Sequence, residues 1–216
     1  MDIIDKLTEI FKEFPGIGER QAKRFVYFLM SKTPAYSENL SGLILDLKKE
    51  TDQCKECFRF FIKKEKTHSA SSVSAICDIC ASANADSSIL MIIEKDSDLE
   101  SIKKSRVYNG KYFILGGLVP IVEKNTKSRV RIEELKNKIK TTTPEARPQG
   151  LLKEIILAFS ISPQGNHTDQ YIREQIKDLC DKQNIKISSL GKGLSTGTEL
   201  EYSDNDTLKN ALKNRQ

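Results

Sequence analysis

Apolar residues recur at helical spacing near the start of the chain, and the recurrence is interrupted once. Ile3, Ile4, Leu7, Ile10 and Phe11 mark one amphipathic helix, Ala22, Phe25, Val26 and Leu29 mark a second, and Phe14-Pro15-Gly16-Ile17-Gly18 stands between them. Proline and two glycines in that position predict a tight helical hairpin. A third helical pattern covers Ala35 to Lys49, with Leu40, Leu43, Ile44 and Leu47, and is expected to complete a small helical domain. Ser82 to Ser88 is small and polar and reads as a linker. After it the period changes. "SILMII", "KYFIL", "EIILAF" and "IKISS" read as buried strands. They alternate with helical segments at Leu99–Ser105, "RIEELKNKIK" and Asp169–Leu179. Strands alternating with helices predict a parallel sheet covered on both faces, and functional groups in such sheets gather at the carboxyl ends of the strands.

With 38% apolar and 30% charged residues in 216, the chain is polar on average yet able to fold around a core. Apolar runs such as Ile89 to Ile93 are far short of the roughly 20 residues of a membrane span. Met1 opens onto Asp2 without a signal-type apolar core, so a cytosolic protein is expected. The net charge of +5 is unevenly placed. Ser101 to Lys153 holds 13 Lys/Arg against 4 Asp/Glu, whereas Leu90 to Glu100 is acidic through Glu94, Asp96, Asp98 and Glu100. A basic stretch of this kind is either a solvated face or an attraction for nucleic acid.

Four of the five cysteines form two C-x-x-C pairs, Cys54/Cys57 and Cys77/Cys80, with 19 residues between them. Each pair turns two sulfurs toward one point, and two pairs complete a tetrahedral zinc shell. Two disulfides are the alternative in an oxidising compartment, and a redox dithiol would need one such pair, not two. A full thiolate shell leaves no place for water, so the expected zinc is structural, one per chain. His68 is surplus to that shell and reads as a loop residue, and Phe58, Phe60, Phe61 and Ile62 are expected to cover the metal or pair as a short strand. Cys180 reads as a core thiol on a helical face with Ile176 and Leu179.

The interrupted helix resumes basic, with Arg20, Lys23 and Arg24. Backbone amides at Gly16 to Gly18, the start of the second helix and these cations make a site for adjacent phosphates, blind to base identity. Glu19 keeps open a plain hairpin with a solvated face, because a first-turn carboxylate suits the helix but repels phosphate. The P-G-I-G core resembles the helix-hairpin-helix motif, which grips DNA backbone without sequence preference.

In the second half, Glu94 follows the first strand and Ser160-Ile161-Ser162 follows the third. The strand order and that carboxylate resemble a Toprim domain, whose catalytic members pair the glutamate with an Asp-x-Asp to hold magnesium. Serine hydroxyls lack the charge for that task, and Gly165, His167 and Asp169 supply no replacement pair. Strand cleavage and primer synthesis are therefore not expected. His167, placed in a loop before a helix, reads as a cap or surface residue.

From end to end the chain is similar to the bacterial recombination mediator family RecR. The similarity is carried by "FPGIGERQAKRF", the two C-x-x-C pairs, "YFILGG" at Tyr112–Gly117 and "GLSTGTELEYSDNDTLKNAL" from Gly193 to Leu212. Within the last stretch Thr198 to Tyr202 reads as a strand, and Ser203 with Asp206 as the start of a final helix. The resemblance implies an α/β multi-domain protein: a helix-hairpin-helix domain over 1–53, a four-cysteine zinc finger over 54–81, a Toprim domain over 88–187, and a strand-helix assembly element over 188–216. It implies a non-catalytic, nucleoid-associated DNA clamp of the bacterial cytoplasm. Such a clamp assembles into a dimeric to tetrameric ring and acts with RecO and RecF to load recombinase at single-strand gaps. By the same resemblance Gly16, Gly18, Arg20, Lys23 and Arg24 contact DNA and Glu94 meets a protein partner. A Toprim nuclease or primase with a divergent metal set, and a zinc-stabilised protein scaffold, are the competing functions. The chain departs from the family in the basic loop 124–131, in an insertion over 141–150 and at Gln164 and Asn166, all of which bear on partner docking at the Toprim face.

Overall fold

The computed structural model describes residues 1–63, 75–122, 130–141 and 152–191, with Asn205, Thr207 and Leu212. His68, the centre of the basic loop, nearly all of the 141–150 insertion and most of the C-terminal family stretch lie outside the described residues. Two compact units emerge, Met1–Thr51 and Asp52–Gln216.

The first unit holds α1 (Ile3–Lys12), α2 (Glu19–Met30) and α3 (Pro34–Glu50). Asp2 caps α1 by accepting from the Asp5 amide at 2.8 Å. The hairpin closes on Ala22 and Val26 of α2, both buried, and on an edge-to-face contact of Phe11 with Phe25, 5.9 Å between ring centres. The third helix falls within the same compact unit but adds no buried residue to it. None of its residues is buried, and Leu43, Ile44, Leu45 and Leu47 are all exposed. Only its first turn is held by aromatic contact, Tyr36 meeting Phe28 at 6.2 Å. Amphipathic spacing predicted the helix correctly but could not say whether its apolar side has a partner within the chain.

From Thr51 onward, β1 (Thr51–Gln53) and β2 (Phe60–Ile62) form a small sheet and α4 (Asp78–Ala81) follows. The main sheet is parallel, in the order β4-β3-β5-β6, from β3 (Asp86–Ile93), β4 (Gly110–Ile114), β5 (Glu154–Ala158) and β6 (Lys186–Ser189). The helices between them are α5 (Asp96–Ser105), α6 (Ile132–Lys140) and α7 (Pro163–Gln183). Several of the expected boundaries move, among them the start of α5, which lies at Asp96. The supposed linker already contains the start of β3, and α7 begins six residues early, at Pro163, so that His167 is helical rather than in a loop. Pro163 at the first helical position and Ser162 as cap explain that early start.

Strand alternation divides the core cleanly. Leu90 and Ile92 of β3 join Phe113, Ile155 and Leu157 beneath Leu135 and Ile139 of α6 and Ile172, Ile176 and Cys180 of α7. Met91 and Ile93 join Tyr112, Ile114 and Ala158 against Leu99 of α5 on the other face. Burial on both faces is why these strands read as continuous apolar runs, each fully buried Leu or Ile contributing about 1.5–3 kcal/mol.

Candidate metal centre and nucleic-acid interface

The sulfur atoms of Cys54, Cys57, Cys77 and Cys80 all lie within 4.8 Å of one another. Cys57 and Cys77 sulfurs stand 3.6 Å apart, close to the ~3.8 Å edge of a tetrahedron built on a zinc–sulfur bond of about 2.3 Å. The fold brings them there through two knuckles. In the first, Cys54 O accepts from the Phe58 amide at 2.9 Å and the Cys54 amide donates to Arg59 O at 2.9 Å. In the second, Cys77 precedes α4 and its amide points at the Cys54 sulfur, 3.4 Å away. Thiols this close do not ionise independently. Hydrogen bonds from Cys57, Cys77 and Cys80 hold Cys54 far below the ordinary thiol value, while bonding to Cys54 drives Cys80 far above it. A cation at the centre removes that conflict by taking all four as thiolates, so the donor set fits a four-cysteine metal-binding site.

The supports of this site come from residues that carried no signal in the sequence. Arg59, largely buried, pairs with Asp78 at 2.9 Å and so ties one knuckle to the other. Lys111, at the start of β4, reaches across to the carbonyls of Ile79, Cys80 and Ser82 at 3.2, 3.1 and 2.9 Å, capping the short α4. Phe58 takes a left-handed backbone, φ 63°, with its ring edge-on to Phe113 and the Arg131 guanidinium over it. As expected, Phe61 packs on the cysteines and Phe60 to Ile62 form a strand.

The hairpin turn is a Pro-Gly turn in which the Ile17 amide donates to Phe14 O at 3.0 Å and Gly16 takes φ +77°. One of the three supposed free amides, that of Ile17, is therefore spent on the turn itself. Gly18 caps α2 without a side-chain hydrogen bond, and a Cβ built there meets nothing within 4 Å, so the first-turn amides of α2 face open space. Arg20, Lys23 and Arg24 are exposed on one side of α2, at spacings that put them together. Lys23 holds Glu19 at 2.7 Å, which pulls the Glu19 carboxyl below its ordinary value through that hydrogen bond. The carboxylate that argued against phosphate binding is thus neutralised by its neighbour.

At the carboxyl edge of the sheet, Ile93 of β3 pairs with Ala158 of β5, placing Glu94 and Ser160 at the ends of adjacent strands. Glu94 is mostly buried and 3.8 Å from Lys95. Ser160 and Ser162 hydroxyls lie 3.0 Å apart, and Ser162 accepts from the Gly165 amide at 3.0 Å. Gly165 is required: a Cβ there would collide with the Ser160 carbonyl. Beside them a cleft of about 220 Å³ is bounded by Ser160, Asn166, Asp169 and Ser189. Asp169 is already engaged by the Ser189 hydroxyl at 2.6 Å and by Arg173 at 3.5 Å. Among the described residues, the four cysteines are the cluster of side chains arranged as metal ligands.

A helical hairpin, a four-cysteine metal site and a parallel sheet with a carboxylate at its first strand end define a Toprim-containing metal-binding protein. Residues 88–191 match the family described as Toprim domain, and residues 193–216 match that described as RecR, C-terminal. Recombination protein RecR of Bacteroides thetaiotaomicron is 30% identical, the alignment covering 99% of this chain and 93% of the relative. Those of Ureaplasma urealyticum (30%, 98% and 94%) and Lactobacillus acidophilus (29%, 98% and 96%) are similar over comparable lengths. The chain belongs to the RecR family. Among the described residues no helix is long and apolar enough to cross a membrane.

Proposed function

We propose that the chain is a non-catalytic, sequence-independent DNA-binding mediator of recombinational repair in the bacterial cytoplasm. It assembles as an oligomeric clamp and acts with RecO and RecF to load recombinase at single-strand gaps. One observation carries the DNA-binding part: Arg20, Lys23 and Arg24 flank an uncapped α2 N-terminus whose approach is open at Gly18. The amides and helix dipole take one phosphate, and the Arg20 and Arg24 guanidinium groups take its neighbours while Lys23 offsets the charge of Glu19. Base edges play no part, so affinity falls steeply with salt and varies little with sequence.

The four cysteines hold one zinc ion per chain as a structural centre, since every ligand place is a thiolate. Family membership supports the recombination role. Against phosphoryl transfer stands the donor chemistry beside Glu94: hydroxyls of Ser160 and Ser162 bond each other, and that of Ser162 caps α7, where carboxylates would be needed. Glu94 then serves a protein partner. Gapped DNA binding by the purified protein tests this. Arg20→Ala with Arg24→Ala should cost at least about 10-fold in affinity at moderate salt with the circular dichroism spectrum unchanged. Undiminished binding by that variant, or magnesium-dependent cleavage abolished by Glu94→Gln, would overturn the proposal.

A further inference from the structure

We propose that Tyr27 adds a stacking platform for one unpaired base to the basic face of α2, giving the hairpin site a preference for single-stranded over duplex DNA. The inference rests on the DNA-binding function proposed above and refines its ligand. Residues 20, 24 and 27 follow one another at four- and three-residue steps, so Arg20, Arg24 and Tyr27 share a face with Lys23 at its side. Ala22 and Val26 occupy the opposite, buried face. Tyr27 is 58% exposed, and among the described residues it pairs with no other ring. Its neighbours differ. Phe28 is edge-on to Tyr36, with the Lys32 ammonium 4.5 Å above its ring.

An exposed phenol ring among cations contributes little burial to the hairpin, but it offers what a backbone grip lacks. Amides and guanidinium groups sense phosphates alike in either form of DNA, whereas an aromatic face is useful only to a base that can leave its stack. Helical rise puts Tyr27 ~13 Å along α2 from Gly18, beyond the phosphates held at the turn but on the same path. Charge draws the strand onto this face and the ring then selects for unpaired bases.

The test is fluorescence anisotropy with the full chain, comparing oligothymidylate with duplex of equal length at one salt concentration. Tyr27→Ala should weaken oligothymidylate binding by about 5- to 150-fold, the range for one base–aromatic stack, and leave duplex affinity unchanged. Tyr27→Phe should retain the preference. Arg20→Ala with Arg24→Ala should weaken both ligands. If Tyr27→Ala leaves oligothymidylate affinity intact while the arginine pair weakens both, stacking is wrong and the backbone grip stands. If no variant changes either affinity, the DNA-binding function itself fails. Equal loss on both ligands with an altered mass by light scattering would assign the ring to subunit packing and overturn the inference.

Discussion

The backbone amide of Ile114 donates to the carbonyl of Cys57 at 2.9 Å, so a metal-ligand knuckle lies along the outer edge of the sheet's terminal strand. Unpaired strand edges are sites of misassociation, and at Ile114 this one is covered by the turn that carries two of the four cysteines. Lys138 adds a second tie, its ammonium reaching the Glu56 carbonyl at 2.8 Å. The four-cysteine site therefore bears on the Toprim sheet as well as on its own knuckles.

Removing the metal with a chelator, or by Cys57→Ser, should loosen that edge. A net hydrogen bond of this kind is worth ~1 kcal/mol, so exchange at the Ile114 amide should quicken about 5-fold or more while Ile92, central in the sheet, stays protected. Hydrogen exchange followed by mass spectrometry or NMR reads both. Unchanged protection at Ile114 after verified zinc loss would show that the knuckle holds its shape without metal.

The two hairpin glycines should separate in their effects. Gly16 is in the left-handed region, and Gly16→Ala should cost about 1 kcal/mol of stability. Gly18 has φ −88° and open space around its Cβ, so Gly18→Ala should fold with a loss of no more than roughly 1 kcal/mol from the weaker cap. On the proposed phosphate contact at this turn its added methyl should lower DNA affinity, with a melting temperature lower by no more than about 2–4 °C. Thermal unfolding alongside anisotropy distinguishes the two.

Gly165→Ala tests the carboxyl edge of the sheet beside Ser160. Its Cβ would meet the Ser160 carbonyl, which cannot yield without disturbing the Ser162 cap, so overpacking of ~2 kcal/mol is expected. For a chain of this size that corresponds to a melting temperature lower by roughly 4–8 °C. A neutral result would mean that the loop after β5 shifts freely.

Cys180 supplies a pH prediction. Burial raises its thiol to about 11 from an unfolded value near 9.0, so the fold favours the protonated form. The resulting stability is fully present below pH 9 and is lost as pH rises from there through about 11. Cys180→Val should flatten that part of the alkaline stability curve in chemical unfolding. In the native protein at pH 8, alkylation of Cys180 should be slow until denaturant is added, as mass spectrometry of the modified peptide would show.

Much of this was legible in the residues themselves, and the reason differs from feature to feature. The two C-x-x-C pairs announce a metal site because few other chemistries need two sulfurs so spaced twice over. Pro15 and Gly16 announce the hairpin because only such residues suit its turn. Lys111 and Arg59, by contrast, look like any strand or surface cation. Their work on α4 and Asp78 depends on contacts 19 to 32 residues distant, which no local pattern encodes.

By itself, then, the sequence determined the alternation of strands and helices in the second half, the four clustered cysteines, the basic face of α2 and the hydroxyls at Ser160 and Ser162. Local periodicity and side-chain chemistry are properties of short segments and survive without a fold. Tertiary structure alone decided that α3 buries none of its apolar residues and that Cys57 covers the edge of β4. Each of those outcomes turns on which surfaces meet, and that is settled only when distant segments compete for the same space and the same hydrogen bonds.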